Sequence, residues 1–597
     1  MAERSDSTPE PSAAISKERP HVLRQYSLIA DGHRGALVGP SGDLAWMCFP
    51  TWHDAAVFAG LLGSSGGFAI SPVEPFVWGG YHEEGSLIWR SRWITADSII
   101  ECRDALAMPS SRARAVVLRR IEVMEGEATV QVSLQPACDY GRQTAGRWAG
   151  DGDVLTWHAA DGATVWRISG VAGARSGPHG LVARVQVAKG GHHDLVLEIA
   201  TGALDGPAPD SDTCWRETAR HWSGVVPACE GVEGRRDVRH AFAVVHGLTA
   251  PSGGTVAAAT TSLPERADAG RSYDYRYVWV RDLCYIGSAA AAAGEPAFVE
   301  PAVRFVTARL LADGADLMPA YTVDGGPIPS EHHLGLRGYP GGYDVIGNHV
   351  NEQFQLDAFG EALSLLAAAD RLGCLTPDGW QAACAAAAAI EARWEQPDAG
   401  VWELAPKWWA HSRLACVSGL RAIAACPRAH GEQGAWLELA DRLLAATASR
   451  CSSADGRWRR APDDDRVDAS LLLAGVRGAI PTDDPRHIAT YRAIKRDLCQ
   501  DGYVYRYRAG PDKPLGEAEG AFLLCSFWMT LAALTQGDVL AASRWFERGR
   551  AGCGPPGLYA EEFDVTQRQL RGNLPQAFVH GLLIEAAFAL TNAKETR

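Results

Sequence analysis

Near residue 230 the hydrophobic rhythm of this chain changes, and that change constrains the fold more than any single motif. From about residue 25 to 225, apolar residues alternate with polar ones: Val130, Val132 and Leu134 in ATVQVSLQP, and Leu195, Leu197 and Ile199 in HDLVLEIAT. Period two is the repeat of a strand with one buried face, and turn-forming stretches such as HAADGATVWRI separate the runs. Short strands in that number predict a large antiparallel β-sandwich. Beyond residue 230 the spacing becomes three and four, as in Leu356, Phe359, Leu363 and Leu366, which is one face of a helix. Thr482-Asp483-Asp484-Pro485 reads as an N-cap followed by a proline at the first helical position, and Ala577 to Leu590 is apolar nearly all round. About a dozen helices fit between residues 232 and 592, and antiparallel pairs in that number close most naturally into a toroid of about six inner and six outer helices.

Strands first and helices afterwards predict a multidomain α+β chain and not an interleaved sheet. The expected division is a disordered tail over 1–24, a β-sandwich over 25–225, a linker with a helix over 226–255, and an (α/α)6 catalytic barrel over 256–597. In such a toroid, loops on one rim join outer helices to inner ones, and the chemistry should be sought there.

A net charge of −14 with a pI near 5.7 argues against a nucleic-acid partner. No run is long and apolar enough for a membrane span. The polar start MAERSDSTPEPSAAISKERPH lacks the apolar centre of a secretory signal. The fourteen cysteines stand singly, without a C-x-x-C pair, as small buried hydrophobes do in a reducing cytosol. A cytoplasmic location is therefore expected. His332-His333 and His192-His193 sit in no metal motif, so neither metal nor organic cofactor is expected. Oligomeric state is left open, a homo-oligomer included.

Five loops carry aromatic, acidic or glycine-rich texture. Tyr273-Asp-Tyr-Arg-Tyr-Val-Trp-Val-Arg281-Asp282 alternates rings with fixed charges just before an apolar helix. Asp282 can be a helix cap there, or rings such as Tyr277 and Trp279 can stack on a sugar while Arg281 and Asp282 bond its hydroxyls. In Gly400-Val-Trp402-Glu403, a carboxyl lies among Trp402, Trp408 and Trp409, an apolar setting that would suit a general acid. Gly557-Leu-Tyr-Ala-Glu561-Glu562 offers acids that are either a solvated run or a base acting on water. Tyr503-Val-Tyr-Arg506 repeats the ring-plus-arginine texture, and Asp324 to Asn348 is a long Gly/aromatic loop without a phosphate-binding fingerprint.

Taken in order, SLIADGHRGALVGPSGDLAWMCFP, TTSLPE, YDYRYVWVRD, GNHVNEQFQLDAFGE, GVWE, YVYRYR, EGAFLLCSFW, AEEFD and GNLPQAF resemble the bacterial branch of glycoside hydrolase family 15, the glucoamylase-like family that includes trehalases. The resemblance runs from about residue 25 to 592. It implies a β-sandwich followed by an (α/α)6 barrel, Glu403 as general acid, Glu561 as general base, and Arg281, Asp282 and Arg506 as sugar contacts. The implied reaction is inverting hydrolysis at the non-reducing end of a small α-glucoside, trehalose or a malto- or isomalto-oligosaccharide, releasing β-D-glucose.

The chain departs from the family pattern over Tyr343-Asp344-Val345-Ile346-Gly347-Asn348, where P-V-R-V-G-N is common, so that an arginine is missing and a bulky, acidic pair has arrived, at Val579 in place of serine, and in the aromatic Lys407-Trp408-Trp409. Tyr343, Asp344 and Trp408 are therefore the positions expected to shape the leaving-group side. Two alternatives stay open: a disaccharide phosphorylase on the same plan, which would not need Glu561, and a non-catalytic sugar-binding regulatory protein, which would not need both acids.

Overall fold

The structure is a computed structural model that describes residues 20–150, 152–177, 180–266, 272–510, 513–517 and 519–596. The tail expected over 1–24 lies outside the described residues up to residue 19. Residues 20–24 are not tail-like: Leu23 is buried, and Arg24 donates to the carbonyls of Cys553 and Arg568.

The first half is a sandwich. One sheet has eight strands, with Arg114–Glu125 and His192–Ala200 paired antiparallel at its centre. The facing sheet has four, with Ala128–Gln135 between Gly67–Pro72 and Gly180–Val187. Val130, Val132, Leu134, Leu195, Leu197 and Ile199 meet in one core between the sheets, as alternation requires. Their neighbours Val196 and Glu198 are buried too, because the outer face of the large sheet is covered in turn. Helix α1 (Ser211–Val225) packs on it, and Val196 joins the core shared with the helical half.

Arg119 bridges the sandwich. Its guanidinium pairs with Asp104 at 2.8 Å, with both side chains fully buried, and donates to the carbonyls of Gly42 and Phe68 on the facing layer. Breaking a buried pair strands the remaining charge.

Among the described residues, twelve further helices alternate between two rings. The outer ring is α2 (Arg235–Leu248), α4 (Pro296–Asp313), α6 (Pro377–Arg393), α8 (Gln433–Cys451), α10 (Pro485–Asp497) and α12 (Val539–Arg550). The inner ring is α3 (Val280–Ala292), α5 (Asp357–Arg371), α7 (Ala410–Ala424), the short α9 (Leu473–Val476), α11 (Leu523–Thr535) and α13 (Ala577–Glu595). Successive inner helices touch, and α13 packs on α3 to close the ring. The segment 226–255 is thus more than a linker: its amphipathic helix α2 buries Phe242, Val244 and Leu248 and is the first outer member.

Inner helices come close where side chains vanish. A β-carbon on Gly360 of α5 would sit 2.5 Å from the Ala415 backbone of α7. As the sequence predicts, Asp484 caps α10, accepting from the Arg486 amide, and Pro485 follows it. All fourteen cysteines are unpaired, and among the described residues no helix is long and apolar enough to cross a membrane.

Replacing Asp104 with alanine leaves Arg119 buried without its partner, and is expected to cost about 3–5 kcal/mol. Denaturant unfolding monitored by sandwich tryptophan fluorescence checks this.

Candidate active site

Because the helix pairs are antiparallel, every inner helix points the same way, and the loops entering them gather on one rim. There they surround a cavity. Seven of the residues singled out from the sequence line it: Trp279, Arg281, Asp282, Trp402, Glu403, Arg506 and Glu561.

Glu403 sits on a tight turn. Gly400 (φ 68°) starts it, and a β-carbon there would lie 2.8 Å from Trp409. The Gly400 amide bonds Asp398, a fully buried carboxylate that also accepts from Ser412 and pairs with Arg413. Glu403 itself has φ 53°, a left-handed conformation that costs a non-glycine residue roughly 1–2 kcal/mol. Three donors hold its Oε1: Trp279 Nε1 at 2.7 Å, Arg281 Nη2 at 3.1 Å and Gln355 Nε2 at 3.3 Å. No described residue donates to Oε2. Glu403 is therefore fixed by polar donors, and not by the apolar surroundings expected from its tryptophan neighbours.

Arg281 also donates to Gln355 Oε1 at 2.5 Å and lies 3.5 Å from the fully buried Asp357 and 4.0 Å from Asp282. Burial pushes the Asp282 carboxyl up to about 7, against the pull of Arg281. Trp402 donates its indole N–H to Asp468 at 2.9 Å. Arg506 is locked on Glu519 through two bonds and lies over the Phe522 ring at 4.3 Å.

Glu561 is on the loop entering α13 and is buried. Burial first, then the neighbouring Glu265, hold its carboxyl well above the ordinary carboxylate range, opposed by Arg506 and by a hydrogen bond from Tyr275. Tyr275 Oη donates to Glu561 Oε2 at 3.1 Å, and its ring meets Trp279 edge-on, with centroids 5.4 Å apart. A single aromatic stretch thus reaches both carboxyls, Tyr275 holding Glu561 and Trp279 holding Glu403.

Four expected site residues are elsewhere. Tyr277 is buried against the His53 ring of the sandwich, 6.5 Å between centroids, because the extended stretch carrying it is wedged between the two domains. Tyr343 is exposed and does not line the cavity. Asp344 turns into its own loop, bonding His333 Nδ1 at 2.7 Å and the Leu336 amide at 2.8 Å. Trp408 is held between the guanidinia of Arg413 and Arg450, at 4.6 and 5.1 Å. Val579 is fully buried within α13, off the cavity lining.

Sequence reasoning missed Glu265, Tyr275, Gln355 and Asp357. Glu265 ends the quoted TTSLPE, and Gln355 and Asp357 lie in GNHVNEQFQLDAFGE. Charged or amide groups inside apolar, family-like segments were the available signal. Among the described residues, Glu265, Glu561 and Glu562 bring ligand oxygens within 4.8 Å of one another, the spacing a cation needs. Buried carboxyls so crowded are equally accommodated by sharing protons.

Carboxyls on facing loops, held by neutral donors and one guanidinium beside aromatic rings, suit acid–base cleavage of an acetal, and the protein is a glycoside hydrolase. The model of the glycosyl hydrolases family 15 matches residues 240–588, and that of the trehalase-like N-terminal domain matches 13–222. The chain belongs to glycosyl hydrolase family 15. It is 29% identical to a trehalase of Mycolicibacterium smegmatis, over 96% of this chain and 92% of that protein. It is also 29% identical to a trehalase of Mycobacterium tuberculosis, over 96% of this chain and 90% of the other. A solved bacterial glucoamylase complexed with acarbose shares the fold, with a TM-score of 0.71 over 96% of this chain and 95% of that one, at 13% identity.

Since Trp408 is packed between two arginines away from the cavity, Trp408→Leu should leave kcat/KM within about twofold while costing about 1–2 kcal/mol of stability. Steady-state kinetics and thermal unfolding of the same variant check both.

Proposed function

We propose that this protein is an exo-acting, anomer-inverting hydrolase of small α-glucosides, with trehalose the first candidate and malto- or isomalto-oligosaccharides next. The observation that carries the reading is the pair of loop carboxyls, Glu403 and Glu561, held at one cavity by Trp279 and Tyr275. The relatives named trehalase support the substrate class, since they align along nearly the whole chain.

In this reading Arg281 and Asp282 bond the hydroxyls of the terminal glucose, and Trp402 and Trp279 border its ring. Glu403, with Oε1 fixed by three donors, presents Oε2 to the glycosidic oxygen and protonates it. Glu561 takes a proton from a water attacking the anomeric carbon on the opposite face. The C–O bond to the leaving group breaks as the new one forms, so configuration inverts. That geometry requires carboxyls roughly 6.5–9.5 Å apart, with room for the water.

Trehalose makes the test decisive, because both anomeric carbons of its one glycosidic linkage are α. Inversion at the attacked carbon yields one β-glucose, while the leaving glucose keeps its α configuration. Proton NMR within the first minutes should show the two anomers in equal amounts. Two α equivalents would mean retention and would overturn the mechanism; glucose 1-phosphate formed only with orthophosphate would point to a phosphorylase instead.

The base acts only when ionised. Burial and Glu265 raise the Glu561 proton affinity, so activity is lost as pH falls through that raised value. The acid limb of kcat/KM should stand above the ordinary glutamate range of about 4. A limb at ordinary carboxylate pH would count against Glu561 as the base.

A further inference from the structure

The side chains around the cavity grade from buried to open. Arg281 and Asp282 are 7% and 8% exposed, Glu403 is 28% exposed, and His349, which also lines the cavity, is 47% exposed. An exo-acting hydrolase, the reading on which this rests, seats the terminal glucose at the closed end, so the departing sugar lies on the open side of Glu403. The residues expected there from the sequence, Tyr343, Asp344 and Trp408, are turned elsewhere. His349 and Gln353 line the cavity in their place.

Both are held by their neighbours. Gly347 (φ 81°) donates its amide to Asp274 Oδ2 at 3.0 Å, and a β-carbon there would lie 2.4 Å from the Ser330 carbonyl oxygen. Asn348 donates to the Asp274 carbonyl through Nδ2 and accepts from the Val350 amide at 2.9 Å. The backbone beside His349 is thereby pinned to the aromatic stretch. Its imidazole donates from Nδ1 to Glu331 Oε1 at 2.8 Å and lies 6.2 Å from the Tyr273 ring, which stacks on Tyr275 at 6.4 Å. With Nδ1 on Glu331, the other ring nitrogen, Nε2, is left for a ligand. Gln353 Oε1 accepts from Gln355 Nε2 at 3.3 Å, and that same nitrogen bonds Glu403 Oε1 at 3.3 Å. One amide therefore separates Gln353 from the acid, and the Gln353 NH2 is left to donate.

A sugar hydroxyl both donates and accepts, so it suits an imidazole nitrogen and an amide alike. We propose that His349 and Gln353 bind the departing sugar: His349 Nε2 and the Gln353 amide hydrogen-bond its hydroxyls beside the Tyr273 ring, and they set which disaccharide is cleaved. Glu331 is the positioning residue that aims the imidazole. A site built to bond a hydroxyl discriminates against a substrate that lacks it, which separates this role from support of the fold.

The test compares two substrates on each preparation of the full chain. One is trehalose, or whichever α-glucosyl disaccharide the wild type cleaves best; the other is α-D-glucosyl fluoride, whose leaving group carries no hydroxyl. His349→Ala and Gln353→Ala should each lower the ratio of kcat/KM for the disaccharide to kcat/KM for the fluoride about 5–10-fold. Glu331→Leu should lower it as His349→Ala does. Glu331→Gln, whose amide oxygen still accepts from Nδ1, should keep it within about twofold of wild type. Tyr343→Ala, exposed and off the cavity, should leave it unmoved. Both rates come from one preparation, so a loss of folded protein cancels, and should one variant not fold the other decides. A ratio unmoved in His349→Ala and Gln353→Ala, or moved equally by Tyr343→Ala, overturns the inference. A wild type inactive on every α-glucoside would instead remove the proposed function, and this inference with it.

Discussion

The cavity is organised around one buried guanidinium. Arg281, on the first turn of α3, faces Glu403, Asp282 and Asp357 at once and orients Gln355 as well. It supplies a positive charge that lets acids from three separate segments share one space. Removing one partner of such a buried set leaves uncompensated charge, at a cost of about 3–5 kcal/mol. Geometry and folding are therefore coupled at this residue: the strained backbone of Glu403 is held by the bonds that aim its carboxyl.

The sandwich contributes to the site although none of its strands lines the cavity. Arg276, paired with Asp274, donates to the Asp54 carbonyl at 2.9 Å and to Tyr140 Oη at 3.1 Å, and Trp46 donates to the Ala259 carbonyl. With Tyr277 on His53, these contacts clamp one side of the aromatic stretch to the first domain. Tyr275 and Trp279 are thereby free to face the cavity and hold the two carboxyls. A domain that lines none of the cavity thus helps position the residues that hold Glu403 and Glu561.

Much of this was legible beforehand. The change of period at residue 230 follows from how strands and helices bury one face, and it predicted both halves. The ring-and-charge texture of residues 273–282 marked the cavity, and the W-E and E-E loops marked its acids. The errors have a common origin. Tyr277, Tyr343, Asp344 and Trp408 have the composition of sugar-binding residues, and composition does not say which way a loop side chain turns. Rings alternate with charges along 273–282, yet Tyr277 goes to the domain interface while Tyr275 and Trp279 face the cavity. The helix expected within the 226–255 linker belongs to the barrel, and its sequence gives no sign that it packs on the last helix of the chain, more than 300 residues away.

By itself the sequence determined the strand-then-helix order, the family, and which segments carry reactive side chains, because periodicity and motif are properties of neighbouring residues. Only the tertiary structure decided that Tyr275 and Trp279 link Glu561 to Glu403, that Arg281 is shared among three acids, and that Glu265 crowds Glu561. Those relations join loops 70 to 300 residues apart, and they exist only once the ring of inner helices has closed and brought the loops to one rim.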